Sequence, residues 1–343
     1  MGTRRDGVVS SRRATAHGAS ESGRHYRVVH RATYTYPAPA AGSYGRAVLL
    51  PRDGGGQVVH SSRLDVDPVP AETAEHRDFH GNRSSYFRIA TEHTSLRVRA
   101  ESVLTVTRRG ARIDSLPAVP WTTAAEIART IGSPGRAGGL GATGRASRDG
   151  HGLQGAALLG VAEATLPSAM VDLDETVREF AAPSFGPGRP LVHAVVDLSR
   201  RIHERGRASG PELAHLMIAS VRSMGLAARY VSGYVWEDDD AAAPPGDAPP
   251  GRGGGAHAWA SVWVPGGGWL HVDAARDVLI DSRYVVLGWG RDHLDVSPLR
   301  GVVYADGAGA DVEIEVELVA LSNAEVADVR AANPPLRRPV ARA

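Results

Sequence analysis

The sequence predicts an α+β protein, an antiparallel β domain followed by a core that mixes helices and strands. Short β-prone runs broken by Pro, Gly and Asn fill the region from Tyr26 to about residue 108. Two segments with apolar residues at helical spacing follow. Beyond them comes a pair of alternating runs, AHAWASVWV and WLHVDAA, that reads as two strands.

The bulk numbers set the frame for these elements. The chain has 343 residues and 42% hydrophobic content, enough for a sizeable core in one large or two ordinary domains. Its 39 basic and 38 acidic residues leave a net charge of +1, so no global field steers it toward nucleic acid or anionic lipid. Every basic residue is arginine, and cysteine is absent, which excludes disulfides. The pairs Arg4–Arg5 and Arg12–Arg13 precede ATAHGASESG rather than an apolar run, and no stretch approaches the ~20 apolar residues of a membrane span. A cytoplasmic protein with neither a nucleic-acid nor a membrane partner is expected.

In chain order, residues 1–24 are polar and Arg/Ser/Gly-rich and read as a disordered tail. Residues 25–110 form the β domain, through YRVVHRATYTYP, GRAVLLPR, SRLDVDPVP, SSYFRIATE and LRVRAESVLTV. Residues 111–169 are read as a connector that carries a flexible Gly-rich insertion at 132–155. Residues 170–321 hold the core and C-terminal strands, and 322–343 are a second tail. Within the core, Pro190 opens a helix whose Leu191, Val195, Leu198 and Ile202 share one face. The next helix carries Leu213, Leu216, Met217, Val221 and Met224 inward and ends at Gly225, a suitable C′ residue. Ser209 and Glu212 fit a capping box, which starts that helix near Gly210. ARYVSGYVW is a strand, and DVEIEVELVAL is another that could complete the N-terminal sheet.

The strand pair carries the chemistry. His257, Trp259, Ser261 and Trp263 alternate on one face of the first strand, and Trp269, His271 and Asp273 on one face of the second. A turn with an odd loop, Pro265 to Gly267, would pair Val264 with Gly268 and set Trp259 opposite Asp273. His257 is then a same-face diagonal neighbour of Asp273, close enough for imidazole to meet carboxylate. An even loop would put the two on opposite faces.

These segments resemble the bacterial transglutaminase-like superfamily, relatives of the papain-type thiol enzymes. AHAWASVWVPGGGWLHVDAARD is similar to the family's His-Ala-Trp strand and Asp strand, and ELAHLMIASVRSMGLAARYVSGYV to its Cys-bearing helix and following strand. GRDHLDVSPLRGVVY is similar to the motif beyond the Asp strand. HRATYTYP, LLPRDGGGQ, DFHGN and the region around His93 are similar to the β domain that precedes the core in bacterial members. The resemblance implies a papain-like α+β core in which a Cys at a helix start attacks an amide or peptide carbonyl. His257 and Asp273 take the places of the base and its orienting acid.

Registered on Ala214-His215-Leu216, the family's Cys-Gln-Asp-Phe-Ala-His-Leu becomes Gly-Pro-Glu-Leu-Ala-His-Leu, so Gly210 occupies the thiol position. The family pattern also implies a segment of about twenty residues ahead of the Cys helix, where only ERGRAS remains. The expectation is a catalytically inactive pseudoenzyme with a binding or scaffolding role. The alternative is an amide hydrolase or acyltransferase that uses His257, oriented by Asp273, as a general base. Ser209 is a less favoured substitute nucleophile, because its capping role already employs the hydroxyl. Gly210, with a backbone N–H at a helix start, could bind an anion. Trp259, Trp263 and Trp269 read as core or a groove wall, with a ligand-binding surface at Trp259 the lesser reading. His215 and His271 read as structural. Glu237 to Asp240 read as a solvated loop rather than a calcium site. With no phosphate loop, dinucleotide fingerprint or zinc spacing, no cofactor or metal is expected, and the partner would be a peptide, a protein or an amide-containing small molecule.

Overall fold

The computed structural model describes residues 23–131, 155–206, 208–237, 254–305 and 309–333. The first tail up to residue 22, almost all of the Gly-rich insertion and most of the acidic loop after Glu237 lie outside the described residues.

The N-terminal sheet is organised around one long strand, β1 (Arg24–Ala47), of 24 residues. β2 (Gln57–Asp67), β3 (Glu72–Arg77), β4 (Arg83–Ile89) and β5 (His93–Val106) follow, and neighbouring strands in the order β2-β5-β1-β4-β3 are antiparallel. β5 runs along the first half of β1 and β4 along the second, so the two together form one broken ribbon beside it.

The chain then enters α1 (Trp121–Ile131) and α2 (Ala156–Glu163). The segment expected as a connector therefore holds helices at both ends. Ala128 of α1 with Val161 and Ala164 near α2 pack around Trp263, which explains why they fold: they shield an indole that is 2% exposed. α3 (Glu175–Ala181) is capped by Asp174, whose side chain accepts from the Val177 N–H.

α4 (Leu191–Arg205) and α5 (Gly210–Ser223) are the two expected helices. Leu191, Val195, Leu198 and Ile202 of α4 are each fully buried, and such side chains contribute roughly 1.5–3 kcal/mol apiece. α5 starts at Gly210 with the Ser209–Glu212 capping box in place, and Gly225 beyond its end has a φ of +76°, as a helix terminator requires. Arg222, 2% exposed, donates to the carbonyls of Leu166, Ala228 and Arg291 and ties α5 to three other segments.

The second sheet has the order β10-β6-β7-β8-β9, from β6 (Ala228–Val235), β7 (Gly255–Val264), β8 (Gly268–Asp273), β9 (Val278–Leu279) and β10 (Tyr284–Gly290). Ala258, Ala260, Val262 and Val264 of β7 join the apolar cluster formed by α4 and α5. β10 is an edge strand, and two buried side-chain amides stand in for a missing neighbour. Gln57 bonds both the N–H and the carbonyl of Val286, and Asn82 does the same for Trp289. These replacements for ladder bonds lock the two sheets together.

β11 (Leu299–Ala305) and β12 (Asp311–Leu321) return to the first sheet and pair along the other side of β1. β12 thereby takes the place in the N-terminal sheet that its alternating sequence left open to it. The domains are thus not sequential, because the β domain takes its last strands from the chain's end. The segment after residue 321 is not wholly a tail: α6 (Asn323–Ala332) opens with a second Ser–Glu capping box, Ser322 and Glu325, and buries Val326 against Val103 and Leu321. Among the described residues, no helix is long and apolar enough to cross a membrane.

A candidate site built on His257 and Asp273

The β7–β8 hairpin has the odd loop. Val264 pairs with Gly268, Trp263 with Trp269 and Ala260 with Val272, which carries Asp273 level with Trp259 and diagonal to His257. His257 Nε2 donates to Asp273 Oδ2 at 2.7 Å. The carboxylate is fully buried and fully engaged: Oδ2 also accepts from the Tyr284 hydroxyl at 2.8 Å, and Oδ1 from the Ala275 N–H at 3.0 Å. Arg276 stands 3.6 Å from Oδ2 and reaches Glu237 at 2.6 Å. Burial and the adjacent carboxylate push the Tyr284 phenol up, so it stays protonated and remains a donor.

Sequence reasoning missed Tyr284, Ala275 and Arg276. Arg276 follows the motif aspartate by three residues and could have been found there. Tyr284 had no local signal, because its proximity depends on β10 lying beside β6.

With Nε2–H held by Asp273, the neutral imidazole has its lone pair on Nδ1. That nitrogen faces Gly210. A Cβ placed on Gly210 would lie 3.0 Å from both His257 Nδ1 and Cε1. The glycine at the helix start and the base on the strand are therefore direct neighbours, and the imidazole comes as near to the helix as a residue without a side chain permits. His257 is 12% exposed at its side chain, which leaves a narrow approach.

The start of α5 satisfies most of its own donors. The Glu212 N–H meets Ser209 Oγ and the Leu213 N–H meets the Ser209 carbonyl, while Pro211 has no N–H. The Ser209 N–H and hydroxyl both point to the Glu212 carboxylate, at 2.7 and 2.9 Å. Only the Gly210 N–H remains free among the described residues, and Glu212 already supplies negative charge to the helix end. The anion site expected at Gly210 is accordingly reduced to a single donor. Ser209 is exposed, with its proton engaged by Glu212.

Trp259 is buried completely, so it is a core residue, and the lesser reading that placed it on a binding surface is corrected. Its indole packs edge-on to Tyr284 at 5.3 Å and donates to His271 Nδ1 at 3.2 Å, so it supports the floor under His257. Gly233, opposite His257 in the β6–β7 ladder, makes room for that ring: a Cβ there would come within 2.5 Å of the indole. His215 stacks on Tyr230 and accepts from the His293 N–H, and burial depresses its pKa. An open cleft of about 1120 Å³ lined by Phe79, Trp121, Leu159 and Leu166 lies beside α1 and α2, and neither His257 nor Asp273 lines it.

Two family models match the chain. The bacterial transglutaminase-like N-terminal region matches residues 26–105, and the transglutaminase-like superfamily core matches residues 194–274. An uncharacterized protein of Mycobacterium tuberculosis is 36% identical over 325 residues, covering 87% of this chain and 94% of that protein. Another from Mycobacterium leprae is 30% identical over 316 residues, covering 86% and 99%. Among solved structures, a proposed cysteine protease from Cytophaga hutchinsonii shares the fold, with a TM-score of 0.56 at 17% identity over 87% of this chain and 98% of that one.

Proposed function

Since the chain belongs to the transglutaminase-like superfamily, with the bacterial N-terminal region ahead of its core, we propose that it is a member that binds an amide-bearing ligand without forming a thioester. The observation that carries this reading is the pairing of Gly210 with His257. Where an acyl-transfer enzyme needs a nucleophile, this site has a backbone N–H and, 3.0 Å from the absent Cβ, an imidazole lone pair. One donor beside one acceptor complements an amide, whose carbonyl would accept from Gly210 and whose N–H would donate to His257 Nδ1. Without cysteine in the chain, and with the Ser209 hydroxyl held by Glu212, no side chain at the helix start is free to attack the carbonyl. The role would be binding or scaffolding on a peptide, a protein or a small amide.

A second reading follows from the Asp273–His257 bond. An oriented base with a free lone pair could take a proton from water as it adds to an amide carbonyl and return that proton to the nitrogen as the amine leaves, with no covalent enzyme intermediate. Turnover of amide and ester substrates by the wild type, compared with His257→Ala, separates the two readings. No turnover, together with amide binding that weakens in His257→Ala, supports the binding protein. Turnover lost in His257→Ala overturns it in favour of the base-only hydrolase.

A further inference from the structure

A second polar cluster lies on the same face of the second sheet, about four residues along β7 from His257, or roughly 13 Å. The fully buried Trp259 stands between them, so the two places do not share a cavity. Arg229 of β6 is directly opposite Ser261 of β7, and Ser261 is opposite His271 of β8. Because Ser261 is small, the Arg229 side chain can lie across β7 and reach Trp269. Its guanidinium is sandwiched, with its carbon 3.9 Å from the Trp269 ring and 3.8 Å from the Trp289 ring. Arg52, from the N-terminal domain, covers the Trp289 ring at 3.1 Å.

The stack accounts for the faces of these cations but not for their donors. Among the described residues, Arg229 makes no hydrogen bond or ion pair, and its Nε is buried without a partner. The Nε of Arg52 and the hydroxyl of the wholly buried Ser261 are likewise sequestered and unpartnered. His271 adds a further donor, because its Nδ1 accepts from Trp259 and its proton is therefore on Nε2. A guanidinium Nε buried without an acceptor is unfavourable, and buried donors without partners are rare in folded proteins. Arg52 meets part of its own need by donating to the His80 carbonyl and Asn82 Oδ1; the donors left over can all serve one acceptor, and the two guanidinium groups favour one that carries negative charge.

We propose that Arg229, Ser261 and His271, walled by Trp269 and Trp289, form a binding site for an oxyanion group, the carboxylate or phosphate of a small ligand. The guanidinium edge provides the fork such a group fits, with the two indoles fixing its plane. Trp269, Trp289, His271 and Arg229 are each only partly buried, so the cluster keeps contact with solvent. The site sits on the seam between the domains, since Arg52 and Trp289 come from opposite sides of it. Occupancy would neutralise the charge at that seam.

The test is to titrate tryptophan emission with inorganic phosphate and, separately, with acetate, each against sodium chloride at matched ionic strength. Trp269 and Trp289 are two of six tryptophans, so a local change is readable. The expected result is a saturable change with at least one oxyanion, weakened about tenfold or more in Arg229→Gln and several-fold in Ser261→Ala. Response to phosphate or to acetate alone identifies which source the site accepts. If Arg229→Gln fails to fold, Ser261→Ala, which removes only a hydroxyl, decides. No saturable response beyond chloride in the wild type, or variants that titrate like the wild type, overturns the proposal and leaves the stack as an interdomain clasp. His257→Ala should titrate as wild type, which keeps this outcome separate from the amide-binding reading.

Discussion

Gly210 and His257 meet across the gap where a side chain is missing: the first Cβ atom placed on the glycine would stand 3.0 Å from the imidazole Nδ1. The base and its acid have kept their geometry, at 2.7 Å, around a position that offers nothing to activate.

Restoring a thiol tests whether that geometry still functions. Gly210→Cys requires the imidazole to yield by a few tenths of an ångström, after which the thiol lies beside Nδ1 at a helix start, an environment that lowers thiol pKa values. Alkylation by iodoacetamide at neutral pH is expected to run about tenfold or more faster than in Gly210→Cys/His257→Ala. Equal rates would show that the pocket no longer activates a nucleophile.

Removing the acid should be felt in stability as well as in the site. Asp273→Ala strips three donors of their acceptor, namely His257, Tyr284 and Ala275, in a place the carboxylate occupies at zero exposure. A loss of roughly 2–4 kcal/mol is expected in urea unfolding. Tyr284→Phe, which removes one bond and leaves the other two, should cost about 1–2 kcal/mol. A neutral outcome for Asp273→Ala would mean that the network contributes nothing to the fold.

Ser209→Ala separates capping from catalysis. Loss of the cap is expected to cost about 1 kcal/mol in thermal or urea unfolding and to leave every His257-dependent property unchanged. Were the alanine variant to lose a turnover that the wild type possessed, the hydroxyl would be acting as a nucleophile.

His30 makes the seam between the sheets acid-sensitive. It is 2% exposed, its Nδ1 is 3.1 Å from the Tyr234 hydroxyl, and burial lowers its pKa to about 4. The unfolded chain, with an ordinary histidine near 6.5, binds a proton before the folded one does. Stability from this group is thus fully present above pH 6.5 and is lost as the pH falls from about 6.5 to about 4. The loss amounts to roughly 3 kcal/mol at most. His30→Gln should flatten the fall of melting temperature across that window, and an unchanged slope would assign the acid sensitivity to other groups.

What the sequence disclosed about this site was local. The β7–β8 register followed from a three-residue loop and the alternation of His257, Trp259 and Asp273. The start of α5 followed from Ser209 and Glu212, two residues of a four-residue motif that name each other as partners. The parts that stayed hidden are held by contacts distant in sequence. Tyr284 reaches Asp273 only because β10 pairs with β6, and the amides of Gln57 and Asn82 complete β10 from more than two hundred residues away. The lesser reading of Trp259, as a residue of a binding surface, fails for a related reason. Alternation assigns a face to an indole but cannot reveal that Tyr284 and Val286 close over that face. The tail after residue 321 hid a helix whose capping signature was present but lacked an amphipathic run strong enough to be recognised.

The pairing of β12 with β1 sets an order of events for the molecule's birth. Arg24 to Thr35 leave the ribosome well over two hundred residues before Asp311 to Leu321, and one flank of that strand stays open until the later segment has been made. Because translation proceeds at about 5–20 residues per second, the exposed edge of β1 must wait roughly 15–60 seconds for its partner. A nascent chain stalled before residue 311 would carry a complete His257–Asp273 hairpin and an unfinished first sheet, and that sheet edge is where a chaperone or a second nascent chain would find it.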